Sequence, residues 1–164
     1  MIEPQSSAVQ KLRKLYANND RITVVQAAVD GEAGERTIYT LDVERAPAWA
    51  GALASFQPEI ILRHADIIPG IEEMIREEIV NCVTFDTILA RLETDELDLL
   101  QIDAEGADGH ILSLFPFHGI RPAIVHWEVR HLTVSQREDS LERLANFGYR
   151  FAPSGDQDTI AVRF

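Results

Sequence analysis

The stretch LLQIDAEGAD at residues 99–108 combines an apolar run, three acids and a glycine. Its apolar part lies in a strand predicted for Leu97–Ile102, and a helix is predicted to follow at about Ala107–Phe115. Asp103, Glu105 and Gly106 occupy the junction between them. In open α/β sheets, ligands bind at the carboxyl ends of the strands. This stretch therefore predicts an α/β fold with polar groups at a binding edge.

A second predicted strand and helix follow the first pair. Ala123–Val129 is an apolar strand with Glu128 near its end, and Ser135–Phe147 has helical periodicity. Strands that are buried on both faces and separated by helices pair in parallel through right-handed crossovers. We therefore expect Asp103, Glu105 and Glu128 to converge on one edge of a parallel sheet.

These three carboxylates are candidates for accepting a substrate proton or holding a divalent cation. The alternative is structural. Asp103 then caps a helix and Glu105 interacts with the helix dipole, while Glu128 forms a salt bridge to Arg130. The five histidines show no clear metal-ligand spacing, and we interpret most of them as surface or core residues.

The remaining elements are predicted from periodicity and turn residues. Ser6 or Ser7 is expected to cap the first helix, Ser135 and Glu138 to form a capping box, and Gly148 to end the last long helix. The predicted elements are a helix at Gln5–Asn18, a buried strand at Ile22–Val29 in a hairpin or meander with Thr37–Leu41, loop with one short helical piece over Asp42–Pro69, a helix from Ile71 that runs into a strand at Ile79–Phe85, a helix at Asp86–Leu92, and an antiparallel hairpin of Tyr149–Ala152 with Thr159–Phe164.

Composition limits the class of protein. The 164 residues suit one domain, and an apolar fraction of 46% is enough to form a core. The 27 acidic and 15 basic residues give a net charge of −12, which disfavours nucleic acid and anionic membranes as partners. The sequence has a single cysteine, Cys82, and shows no apolar run typical of a signal peptide or a membrane-spanning helix. These features predict a cytoplasmic protein. Serine-hydrolase, P-loop and zinc-motif signatures are absent from the sequence.

Residues 99–108 are similar to the "llKIDVEGAE" signature of the FkbM-type family of S-adenosylmethionine-dependent methyltransferases. Further similarities follow the family order: Ile2-Glu3-Pro4, Ala27-Ala28-Val29 with Gly34, Val83–Leu89, Ile124–Glu128, Gly148-Tyr149 and Ala161–Arg163. The resemblance implies a Rossmann-like class I methyltransferase sheet, mostly parallel, with a C-terminal antiparallel hairpin. It also implies one domain over residues 1–164.

The same resemblance implies S-adenosylmethionine as cofactor and assigns roles to particular residues. Glu3 is expected to bind the ribose hydroxyls, and Ala27 and Ala28 to border the adenine. Asp103 and Glu105 are expected near the transferred methyl group. The implied reaction is O-methylation of a sugar, glycan or natural product, with Asp103 or Glu128 as base or with a divalent cation bound by the same acids.

Family members begin with a strand and a glycine-rich loop that this sequence does not contain. We therefore expect a domain that is incomplete at its N-terminus, a fragment or a natural truncation with weak cofactor binding. We also expect a homo-oligomer, because a sheet without its first strand leaves an unpaired edge. A catalytically silent interaction module is the alternative function, and a small-molecule binding protein is a third.

Overall fold

The computed structural model describes residues 1–92, 96–155 and 157–163. The chain divides into two compact units, of which the first is Met1–Thr84 and the second begins at Phe85. Both units combine helices with strands, so the predicted α/β class is confirmed. No helix in the described part of the chain has the length and apolar character needed to cross a membrane.

The first unit contains a two-stranded and a four-stranded sheet with short helices between the strands. Strand β1 pairs in parallel with β2, and the larger sheet has the order β3-β6-β4-β5. The elements are β1 Ile2–Glu3, α1 Ser6–Leu15, β2 Val25–Gln26, β3 Ala28–Val29, β4 Gly34–Leu41, a 3₁₀ helix Ala48–Ala52, β5 Ala54–Ser55, α2 Pro58–Leu62, α3 Ile71–Met74 and β6 Ile75–Val83.

Three sequence predictions in this unit are wrong. The expected strand Ile22–Val29 is shortened and divided into β2 and β3, which begin only at Val25, because β1 provides the partner for β2 while β6 provides the partner for β3. The expected hairpin with Thr37–Leu41 does not form, since β4 pairs antiparallel with β6 over its full length. Gln5, rather than Ser6 or Ser7, is the N-cap of α1 and makes no side-chain capping bond.

The second unit contains one four-stranded sheet in the order β7-β8-β10-β9. Strands β7 and β8 are parallel, whereas β10 is antiparallel to both β8 and β9. The elements are α4 Phe85–Leu89, β7 Leu99–Ile102, α5 Asp108–Leu114, β8 Ile124–Glu128, α6 Val134–Asn146, β9 Arg150–Ser154 and β10 Asp158–Val162.

The prediction of a mostly parallel sheet is therefore wrong, and the sheets are mixed. Each four-stranded sheet has one parallel pairing and two antiparallel pairings. The C-terminal hairpin is confirmed as β9 and β10, although Phe164 of its predicted second strand lies outside the described residues. Strands that follow each other closely in the chain, such as β9 and β10, can pair only in the antiparallel direction. Strand β10 also pairs antiparallel with β8.

The core of the second unit lies between the sheet and its helices. Trp127, Val125, Phe115, Phe117 and Leu112 have at most 1% of their surface exposed. Strand β7 departs from the prediction of burial on both faces. It is the edge strand of its sheet, and Leu99 is 47% exposed.

The ends of α6 are defined by local hydrogen bonds. Thr133 is the N-cap and its hydroxyl accepts from the Gln136 amide, while the Gln136 side chain accepts from the Thr133 amide. The predicted box of Ser135 and Glu138 is wrong by two residues, because α6 begins at Val134. Gly148, with φ of 86°, is confirmed as the left-handed residue after the helix.

Candidate functional site

The parallel pair β7–β8 brings two sequence-predicted acids to one sheet edge. Leu99 is paired with Ile124, and the register continues to Ile102 and Trp127. Asp103 directly follows this last pair on β7, and Glu128 is the last residue of β8. Both residues therefore lie at the carboxyl edge of the pair.

The loop after β7 carries Glu105 into the same site. The backbones of Glu105 and Gly106 both have a left-handed conformation, with φ of 46° and 92°. A non-glycine residue in this conformation costs about 1–2 kcal/mol, so other contacts must maintain it. The Asp108 carboxylate, which is completely buried, accepts hydrogen bonds from the amides of Ala104 at 3.3 Å and Gly106 at 3.2 Å. Asp108 thus ties the loop to the start of α5.

His131 completes the site from the turn after β8. Its Nε2 lies 3.4 Å from Glu105 Oε2 and 4.0 Å from Glu128 Oε2. The side chains of His131, Glu128 and Glu105 are 8%, 13% and 26% exposed. One oxygen or nitrogen atom from each of the three residues lies within 4.8 Å of the other two. We call these residues the Glu105–Glu128–His131 cluster.

The electrostatics of the cluster are unfavourable for an ionised Glu128. Its pKa is raised from 4.5 to about 7, first by burial and then by the negative charges of Glu105, Asp108, Asp103 and Asp158 in that order. Asp158 faces Glu128 across the β8–β10 pairing. Glu128 Oε2 is also buried without a hydrogen-bond partner among the described residues.

Asp108 experiences opposing effects. Burial raises its pKa, whereas hydrogen bonds from the backbone amides of Asp108, Gly106 and Ala104 lower it, and the nearby charge of Asp103 raises it again. The net direction of the pKa is upward, and desolvation by burial is the largest cause. Asp108 therefore supports the loop at an electrostatic cost.

The expected convergence of Glu105 and Glu128 is confirmed. Asp103 is exposed and lies close enough to raise the pKa of Glu128. The ion pair recorded for Glu128 is with His131, and not with the neighbouring Arg130 that the structural alternative proposed.

Sequence reasoning missed His131 and Asp108. The sequence interpretation does not single out His131, whose signal is its position three residues after Glu128. The signal for Asp108 is an acid two residues after a glycine, at the start of a helix. Neither signal separates a site residue from an ordinary surface residue without the three-dimensional structure.

The residues predicted to bind the cofactor lie in the first unit. Glu3 ends β1, and its backbone carbonyl accepts a hydrogen bond from Ala27, which follows the parallel partner β2. The Glu3 carboxylate also accepts from the Gln5 amide at 2.8 Å. Ala27 and Ala28 are 1% and 5% exposed, and Ala28 packs in a core cluster of this unit.

Parallel strands with acids at their carboxyl edge define the class of protein as an α/β protein with a candidate site in the position typical of α/β enzymes. The chain belongs to the FkbM methyltransferase family: the model of the methyltransferase FkbM domain matches residues 1–151. No curated protein and no solved structure matches the chain. The family establishes a methyltransferase in general.

Proposed function

We propose that the protein transfers a methyl group from S-adenosylmethionine to a hydroxyl of a sugar, glycan or natural product. The observation that supports this proposal best is the convergence of acids at the carboxyl edge of β7–β8 in a chain of the FkbM family. Transfer to oxygen requires a group that takes the hydroxyl proton, and carboxylates suit that role.

The first unit offers an acid for the cofactor. When bound, S-adenosylmethionine supplies a methyl group activated as a sulfonium. Glu3 would hold the ribose hydroxyls, because a carboxylate has about four acceptor positions and can accept from two neighbouring hydroxyls at once. Ala27 and Ala28 would border the adenine through their backbone, since their side chains are buried.

Asp103 is the base that we propose for the acceptor. It is exposed at the sheet edge, whereas the Glu128 side chain is only 13% exposed. The acceptor oxygen would receive the methyl group, and the cofactor sulfur would leave as a thioether. Asp103 would take the hydroxyl proton, and Glu105, in the loop after β7, would orient the acceptor. Alignment and proton removal are the main demands of such an in-line displacement.

The test is methyl transfer from radiolabelled S-adenosylmethionine to a panel of sugars, glycans and hydroxylated natural products. Asp103→Asn should lower kcat by about 10²–10⁴ with little change in cofactor affinity. Glu138→Gln, on the exposed side of α6, is the matched control and should retain full activity. Methylation at nitrogen would contradict the proposed acceptor class, and equal loss of kcat and cofactor affinity would assign Asp103 to cofactor binding.

A non-catalytic interaction module is the second candidate, and the edge strand β7 supports it. Leu99 and Ile124, which are paired across β7 and β8, are 47% and 39% exposed. An unpaired strand edge beside apolar side chains favours pairing with a second copy of the chain. A dimer in light scattering combined with no methyl transfer to any acceptor would support this function over catalysis.

A further inference from the structure

We propose that the Glu105–Glu128–His131 cluster binds a divalent first-row transition-metal cation. Metal binding at these residues does not depend on methyl transfer, and the proposal stands on the geometry, burial and chemistry of three side chains in the second unit.

The distances within the cluster suit a single ion. Two ligand atoms about 2.1 Å from one metal are about 3.0 Å apart at octahedral angles and about 3.4 Å apart at tetrahedral angles. His131 Nε2 lies 3.4 Å from Glu105 Oε2 and 4.0 Å from Glu128 Oε2. Small side-chain rotations that shorten the second distance by about half an ångström complete the coordination geometry.

Glu128 has His131 as an ion-pair partner at 4.0 Å, a distance too long for a hydrogen bond. The Glu128 Oε2 atom is buried and accepts no hydrogen bond from the described residues. An unpartnered buried carboxylate oxygen is costly, and a bound cation is one of the few groups that removes the cost. The charges of Asp103, Asp108 and Asp158 also act on Glu128, which increases the attraction for a cation.

The backbone holds Glu105 ready for coordination. Its left-handed conformation is maintained by the Asp108 carboxylate, which binds the amides on either side of it. Asp108 is a positioning residue in this arrangement, because its oxygens already accept hydrogen bonds from the loop. The cluster is therefore largely formed before an ion arrives, which lowers the entropic cost of binding.

The ligand set indicates the class of metal. Two carboxylates and one imidazole suit Mn²⁺, Fe²⁺, Co²⁺ or Zn²⁺, whereas Mg²⁺ and Ca²⁺ prefer oxygen ligands alone. Three protein ligands leave positions open for water or a substrate oxygen. Asp103 is not one of the three ligands.

The experiment uses the chelator-treated protein and Mn²⁺ as the probe. Calorimetric titration should show one saturable site, and Zn²⁺ should displace Mn²⁺ more effectively than equal Mg²⁺. Glu105→Gln and His131→Gln should each weaken binding by about tenfold or more. Glu138→Gln and His110→Gln, which alter exposed residues, are the matched controls and should bind Mn²⁺ as the unmodified protein does.

A spectroscopic measurement keeps the test independent of how well the variants fold. Pulsed electron paramagnetic resonance of Mn²⁺ on the unmodified protein should show coupling to a ¹⁴N nucleus, which only a nitrogen ligand such as His131 provides. Absence of saturable binding, absence of ¹⁴N coupling, or unchanged affinity in His131→Gln would overturn the proposal. Because every readout is binding, failure of methyl transfer leaves the result unaffected.

Discussion

Replacing Glu128 with glutamine should stabilise the metal-free protein at alkaline pH. The raised pKa of about 7 means that the folded state holds a proton that the unfolded state, with a pKa of 4.5, has released. The associated stability is fully present below pH 4.5 and is lost as the pH rises through 7. Glutamine has nearly the same shape and does not ionise, so the variant retains this stability.

The shift of about 2.5 pKa units corresponds to at most about 3.4 kcal/mol, at 1.36 kcal/mol per unit. Burial of the side chain to 13% exposure supports a large effect, but residual solvent and salt reduce it. The free energy of unfolding of Glu128→Gln minus that of the unmodified protein is the quantity to compare. We expect this difference to be about 1–3 kcal/mol larger at pH 8 than at pH 4.5.

Urea unfolding at both pH values, with a chelator present, measures this difference. Trp127 adjoins Glu128 and is completely buried, so its fluorescence reports on the second unit. Changing the exposed Trp49 to phenylalanine in every protein removes the signal of the first unit. Glu138→Gln, which removes an exposed carboxylate from α6, is the matched control. A Glu128→Gln variant that is less stable than its parent at pH 8, or equally affected at both pH values, would refute the reasoning.

Three further substitutions test the contacts around the site and the core of the second unit. Asp108→Asn should lower the free energy of unfolding by about 1–3 kcal/mol, because one amide oxygen cannot replace two carboxylate oxygens that accept from separate loop amides. Chemical denaturation measures this free energy, and an unchanged value would contradict the role of Asp108 in holding the loop. Tyr149→Phe should lower the free energy of unfolding by about 0.5–1.5 kcal/mol, because it removes the 2.5 Å hydrogen bond from the Tyr149 hydroxyl to the Pro122 carbonyl. A melting temperature equal to that of the unmodified protein would show that this hydrogen bond contributes nothing to stability. Gly148→Ala should lower the free energy of unfolding by about 1 kcal/mol because of the φ of 86° alone, since no described atom outside the neighbouring residues lies within 4 Å of the added methyl group. Asparagine tolerates this conformation better, so Gly148→Asn should be less destabilised in the same thermal melts.

Much of the second unit follows from local patterns. The order of strand and helix between Leu99 and Asn146 agrees with the apolar periodicity to within a few residues. Gly148 could be assigned its left-handed role because a helix end and a glycine are adjacent in the chain. The approach of Glu105 to Glu128 was also predictable, since parallel neighbours present their carboxyl ends at one edge.

The pairing of strands was less accessible to sequence reasoning. Ile22–Val29 was expected to form one strand, yet Val25–Gln26 pairs with β1 and Ala28–Val29 pairs with β6, and these two partners lie at opposite ends of the first unit's sequence. Strand β10 pairs antiparallel with both β8 and β9, so the sheet of the second unit contains antiparallel as well as parallel pairs. Composition shows that a segment can form a strand but does not identify which distant backbone groups satisfy its hydrogen bonds.

The sequence by itself determined the α/β class, the family signature and the acids at the end of β7 and β8, because each is expressed in residues that are neighbours in the chain. Only the tertiary structure decided that His131 joins Glu105 and Glu128, that Asp108 ties the loop, and that the pKa of Glu128 rises to about 7. Those properties depend on distances between separate segments and on removal of water from the carboxylates, and both arise only when the second unit packs.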